Sequence, residues 1–131
     1  MTMPVTNLPV TGQILFVYGS LRPNEVASLL EDPDTDYLGQ AEIYGTLHDL
    51  GWYPGVTLGG NSTVHGDLFR IKTDTLSKRL DAYEGYPSLF DRKQTETTEG
   101  LPVFVYTYNY DVYDDIVVES GDWSKRHHAN T

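Results

Sequence analysis

The 131-residue chain contains no cysteine. That excludes a disulfide framework, a thiol nucleophile and any thiolate metal site. Basic residues are scarce: nine Lys and Arg stand against nineteen Asp and Glu, for a formal net charge of −10. The few cations are scattered rather than striped, so DNA or RNA would meet net repulsion, and nucleic-acid binding is set aside. A small zwitterionic ligand stays within reach, because local donors outweigh a distant field screened over about 8–10 Å. Long apolar runs are missing as well. None approaches the roughly 18 residues of a membrane span, and the N-terminus has no signal-peptide pattern, so a cytoplasmic protein away from the membrane is expected. Internal repeats, low-complexity blocks and linkers are likewise absent.

What is present is a globular composition, 39% hydrophobic and 12% aromatic, with ten tyrosines against four phenylalanines. One domain over residues 13–123 is the natural division, between a loose leader at 1–12 and a polar tail at 124–131. Ile14-Leu15-Phe16-Val17-Tyr18-Gly19-Ser20 reads as a buried strand ending in a bend, since β-branched and aromatic residues suit a strand and glycine permits close approach. Pro23 and Asn24 offer a turn and an N-cap for a short helix over 25–30. The alternation of Asp32, Asp34 and Asp36 is not a calcium loop: Tyr37 takes the sixth position, where glycine is needed, and Ile43 the twelfth, where glutamate is needed.

A long strand follows over 37–50, with Gly39 and Gly45 as bulge positions, then an aromatic turn from Gly51. Gly59-Gly60-Asn61-Ser62 reads as a hairpin connection into a central strand at 64–71. There the period changes. Thr73 or Asp74 caps a helix in which Leu76, Leu80 and Tyr83 or Glu84 recur, and Gly85 stops it. Two further strands are expected over 88–97 and 102–110, the second with Tyr106 and Tyr108 facing away from Val105. Many strands with two short helices point to an α+β fold, a small, mostly antiparallel β-barrel.

Glu84 is the main candidate for chemistry. It ends a helix, where the dipole disfavours a negative charge by roughly 0.3–1 kcal/mol when exposed, and its neighbours Tyr83, Tyr86 and Pro87 are bulky. Desolvation there would raise its pKa from about 4.3 toward the range of a base at neutral pH; the plain alternative is a solvated helix-end glutamate. Backbone N–H groups in the bend at Gly19, Ser20 and Leu21 suit a carboxylate or an oxyanion. Ser20 lacks the flanking glycines of a nucleophile elbow and fits better as a hydrogen-bonding pocket residue. Arg22 and Arg92 are candidates for bidentate pairing with a substrate carboxylate, and equally for ion pairs with the chain's own acids. His48 and His65 read as strand residues without metal-ligand spacing, and His127-His128 as part of a polar terminus. Tyr53 and Tyr106 are candidate wall residues of a cavity mouth.

Tyr18-Gly19-Ser20-Leu21, Val64-x-Gly66-x-Leu68-Phe69, Leu80-Asp81-x-x-Glu84-Gly85 and Asp91-Arg92, in that order, resemble the γ-glutamylcyclotransferase-like family, with Ser120-Gly121-Asp122-Trp123 as a common closing string. The resemblance implies a small β-barrel open at one end and an intramolecular aminolysis that yields 5-oxoproline and releases an amine or amino acid. It implies that the Tyr18 to Leu21 turn holds the γ-glutamyl end of the substrate and that Glu84 moves the proton, with no cofactor and no metal. Two departures stand out. Leu21-Arg22-Pro23-Asn24 runs directly into an acidic helix where the family often carries a Gly-rich extension, and Phe90 replaces a tyrosine common before the x-Arg pair. The competing expectation is a binding or interaction module on the same fold without turnover. A monomer or weak homodimer is expected in either case.

Overall fold

The apolar run at the start of the domain forms β1 (Ile14–Val17), whose side chains alternate between two cores as successive strand residues must. Leu15 and Val17 join Phe69, Ile71, Phe104 and Tyr106 on one side. Phe16 and Tyr18 join Ile43, Val64, Val103 and Val105 on the other. A strand buried on both faces carries no polar alternation, which is why its sequence is continuously apolar. The structure, a computed structural model, describes residues 11–19, 34–51, 53–110 and 116–125. The expected helix over 25–30 lies outside them.

The remaining elements are β2 (Thr35–Asp49), β3 (Pro54–Ile71), α1 (Asp74–Glu84), β4 (Phe90–Glu96), β5 (Pro102–Tyr108) and a 3₁₀ turn at Trp123–Lys125. They form one five-stranded sheet in the order β2-β3-β1-β5-β4. β2–β3, β1–β3 and β4–β5 are antiparallel, while β1 pairs parallel to β5 at Leu15↔Phe104. Helix α1 lays Leu76 and Leu80 on the Leu15/Val17 side of the sheet. Full burial of such a leucine stabilises by roughly 1.5–3 kcal/mol. Val118 and Trp123 cover the opposite side, where Val118 N–H donates to Leu47 O at 2.8 Å.

Two expectations need correction. The sheet is not closed into a barrel. Its edges β2 and β4 meet only at one corner, through the bridge Ile43↔Thr97 and the Thr98 N–H to Glu42 O bond, whereas closure needs a continuous ladder around the ring. Coverage of both faces, rather than closure, buries the core. Only one α-helix, α1, occurs among the described residues. Second, Gly59-Gly60-Asn61-Ser62 is no hairpin connection: β3 runs through it, and the register jumps from Gly45↔Leu58 to Tyr44↔Thr63, leaving those four residues as a bulge. The β2–β3 hairpin instead turns over at 50–53, where Leu50 N–H donates to Tyr53 O at 3.0 Å. The bulges expected at Gly39 and Gly45 coincide with the two register shifts of the β2–β3 ladder. The end of the leader is tied down, with Gly12 N–H bound to Ile71 O and the Thr11 hydroxyl to Asp74.

Candidate active site

A cavity of about 170 Å³ opens where β1 ends, between α1, the β2–β3 hairpin and the start of β4. Its wall includes Tyr18 and Gly19 from the end of β1, Tyr53 and Pro54 from the hairpin, and Phe90 and Tyr106 from β4 and β5. Tyr83 and Glu84 enter from the last turn of α1. Among the described wall residues, Glu84 supplies the one carboxylate.

Local sequence explains how α1 delivers it. The Thr73 side chain accepts the Leu76 N–H at 3.1 Å as the N-cap, and Asp74 complements the positive end of the helix. At the other end Gly85 adopts a left-handed conformation, φ 66°, that favours glycine. Gly85 N–H donates to Ala82 O and Tyr86 N–H to Asp81 O, so the helix stops immediately after Glu84. The carboxylate is therefore aimed into the cavity by a capped terminus rather than carried on a loop.

Its surroundings change its chemistry. Glu84 is half-buried among apolar and aromatic groups, and the loss of hydration raises its pKa from 4.5 to about 7. The phenol of Tyr18 is buried and donates to Tyr106 O at 2.5 Å. Burial pushes Tyr18 well above the ordinary tyrosine range, and the nearby charge of Glu84 pushes it further. Tyr106 is raised too, first by burial and then by its hydrogen bond to Asp81. The site thus combines one carboxyl that exchanges its proton near neutral pH with neutral phenols that keep theirs.

Gly19 is required by contact. A Cβ at this position would stand 2.7 Å from Pro54 Cγ, too close for any real side chain, so the chain end passes flush against the hairpin. Ser20, Leu21 and Arg22 lie outside the described residues. Of the other candidates, Tyr18, Gly19, Tyr53, Tyr106 and Glu84 converge on the cavity. Arg92 sits elsewhere: its guanidinium lies 3.5 Å from Asp81 and 4.2 Å over the Tyr86 ring. His48 is buried in β2 within 3.1 Å of the Thr57 hydroxyl, and His65 lies 3.3 Å from Glu42 on the sheet surface.

Sequence reasoning did not find Tyr83 or Leu89 as wall residues, nor Asp81 as the partner of Arg92. The signal for Tyr83 was adjacency to Glu84, and for Asp81 the i, i+3 spacing that stacks it one turn below. Phe90, noted for its missing hydroxyl, is an apolar wall residue tilted against Tyr53 and Tyr108, with ring centroids 5.9 and 5.5 Å away. Among the described residues no group of three or more His, Asp or Glu side chains is arranged to hold a metal ion, and no helix is long and apolar enough to cross a membrane.

An open five-stranded sheet in an α+β fold carries one desolvated carboxyl beside a small aromatic cavity. The chain belongs to the γ-glutamyl cyclotransferase, AIG2-like family, whose model matches residues 15–125. It is 34% identical over 119 residues to the γ-glutamylcyclotransferase family protein YtfP of Escherichia coli K12, covering 86% of this chain and 96% of that one. It is also 34% identical over 129 residues to the γ-L-glutamyl-butirosin B γ-glutamyl cyclotransferase of Niallia circulans, covering 89% and 81%. The solution structure of E. coli ytfP superposes with a TM-score of 0.66 at 37% identity, over 86% of this chain and 97% of that one. A mouse AIG2-like protein shares the fold at a TM-score of 0.71 and 18% identity, over 86% and 88%.

Proposed function

We propose that the protein is a γ-glutamylcyclotransferase that converts a γ-glutamyl compound to 5-oxoproline and releases the attached amine or amino acid. The observation that carries this reading is the Glu84 carboxyl, desolvated in the cavity and titrating at about 7. A γ-glutamyl α-amine is mostly protonated at neutral pH and is not nucleophilic until a base takes a proton. A base poised near the working pH is the most effective one. That first proton passes to solvent, and Glu84 accepts the second as the amine attacks its own γ-carbonyl and a C–N bond closes the five-membered ring. The carboxylic acid so formed then protonates the leaving nitrogen as the original amide C–N bond breaks. The released amine regains one proton from solvent, so proton count and charge balance, and Glu84 returns to its starting form.

Positioning supplies the rest. Ring closure is intramolecular, so folding the substrate back in a small cavity removes most of the entropic barrier. In this reading N–H groups of Gly19, Ser20 and Leu21 bind the α-carboxylate or the developing oxyanion, with Arg22 as a further candidate for that carboxylate. Tyr18, Tyr53 and Tyr106 form the wall against which the γ-glutamyl chain folds. The Niallia relative, a γ-L-glutamyl-butirosin B γ-glutamyl cyclotransferase, supports a reading of the same chemistry.

The test is mass-spectrometric detection of 5-oxoproline from a panel of γ-glutamyl amino acids and γ-glutamylamines, beside the Glu84→Gln variant. Product from the wild type and none from the variant supports the reading. Full turnover by Glu84→Gln removes Glu84 from the mechanism, and ligand-induced thermal stabilisation without product favours a binding module.

A further inference from the structure

Asp81 and Glu84 occupy one face of α1, a turn apart, yet only Glu84 lines the cavity. Asp81 instead gathers three other elements. Its Oδ1 accepts the Tyr106 hydroxyl of β5 at 2.7 Å. Its Oδ2 lies 3.5 Å from Arg92 Nη1 of β4, and that guanidinium stacks over Tyr86. Its backbone oxygen accepts the Tyr86 N–H at 2.9 Å, the bond that closes the helix after Glu84. Tyr106 is tied at both ends, because its backbone oxygen accepts the Tyr18 hydroxyl. A continuous set of bonds therefore runs from Tyr18 through Tyr106 to Asp81. Arg92 and Tyr106 are themselves buried, so losing a partner costs them far more than a surface contact would.

We infer that Asp81 is a positioning residue for the chemistry at Glu84: by clamping Tyr106 and Arg92 it holds the end of α1 at a set distance from the Tyr18 wall. Without that clamp the last helical turn keeps the Gly85 cap but loses the Asp81 side-chain tie to β4 and β5, and the Glu84 carboxyl gains water and positional freedom. This rests on Glu84 as the proton-transferring group proposed above. The ionisable groups that share the cavity wall with Glu84 are Tyr18, Tyr53, Tyr83 and Tyr106, with Asp81 and Arg92 behind them.

The experiment compares Asp81→Ala, Asp81→Asn and Tyr106→Phe with the wild type. It uses steady-state kinetics on the γ-glutamyl compound of the panel that is turned over best, and a ¹³C NMR titration of the Glu84 carboxyl. Misplacement of a reacting group by about 1 Å costs up to roughly 100-fold in rate, so Asp81→Ala and Tyr106→Phe should lower kcat by about 10- to 100-fold with KM little changed. Asp81→Asn, which still accepts the Tyr106 hydroxyl, should recover most of that loss. The Glu84 midpoint should move from about 7 toward the ordinary carboxylate value in Asp81→Ala, a shift that a merely destabilised but still folded protein would not show. Unchanged kcat and an unchanged midpoint in folded Asp81→Ala would overturn the inference while leaving Glu84 in place. Wild-type turnover by Glu84→Gln would overturn the reading it rests on. If no panel compound is turned over, the reading of the function fails and the titration alone decides whether Asp81 sets the position of Glu84.

Discussion

Two glutamate-containing recesses among the described residues differ in what surrounds the carboxylate. The larger, about 450 Å³, lies across the β2–β3 surface and includes Glu42, His65, Thr97 and Asp122. There Glu42 pairs with His65 at 3.3 Å, both side chains about 40% exposed, an arrangement worth no more than about 1 kcal/mol. The smaller, about 170 Å³, surrounds Glu84 with Tyr18, Tyr53, Pro54 and Phe90. In the smaller one the carboxyl is pushed up to about 7. Size does not make a carboxylate reactive. Removal of water does, because the charged form loses hydration that no partner replaces.

The sharpest way to break this contrast is Glu84→Gln, which keeps the shape and removes the titrating proton. Turnover should fall by roughly 10²–10⁴-fold while far-UV circular dichroism stays unchanged. The wild-type pH profile of kcat/KM should rise through about pH 7, since the carboxylate form is the base.

Stability should show the same group with the opposite slope. A carboxyl raised from 4.5 to about 7 binds its proton more tightly folded than unfolded. In that window the folded state holds more protons, so stability is greatest below about pH 4.5 with respect to this group and declines as pH rises to about 7. The full difference is at most about 3 kcal/mol. Denaturant titrations at pH 5 and pH 8 should differ less for Glu84→Gln than for the wild type, and Glu84→Gln should be the more stable of the two at pH 8. An identical pH slope in both would remove the desolvation argument.

A smaller effect is expected from Gly19→Ala, whose Cβ would collide with the Pro54 ring 2.7 Å away. Overpacking of this kind costs about 1–3 kcal/mol, and a raised KM together with a lowered Tm would place the strain at the cavity mouth. The smallest belongs to the other recess. His65→Ala should leave kcat and KM unchanged and alter stability by no more than about 0.5 kcal/mol; a large loss of turnover would mean that the wrong recess carries the chemistry.

Legibility in the sequence followed the range of the interaction. The apolar run of β1, the Thr73 cap, the Gly85 stop and the bulges at Gly39 and Gly45 were readable because each depends on residues a few positions apart. Tyr53 and Tyr106 were legible as wall candidates through their type and their place at strand ends. Gly59-Gly60-Asn61-Ser62 misled, since the same glycines that make a hairpin turn also make a bulge, and the difference lies in the partner strand. The open sheet was hidden for a similar reason: an α+β strand pattern does not say whether the two edges meet along a full ladder or at one corner. Arg92 was evenly balanced between a ligand and an ion pair until Asp81 stood beside it.

By itself, the sequence determined that a capped helix ends in Glu84 and that a buried strand ends at Tyr18 and Gly19. Those outcomes follow from hydrogen-bonding and steric preferences within a turn or two. Tertiary structure alone decided that the two ends face one another across a largely aromatic cavity. Desolvation is a property of everything within a few ångströms, and here Tyr53, Pro54, Phe90 and Tyr106 come from three separate stretches of chain to remove the water from one carboxyl.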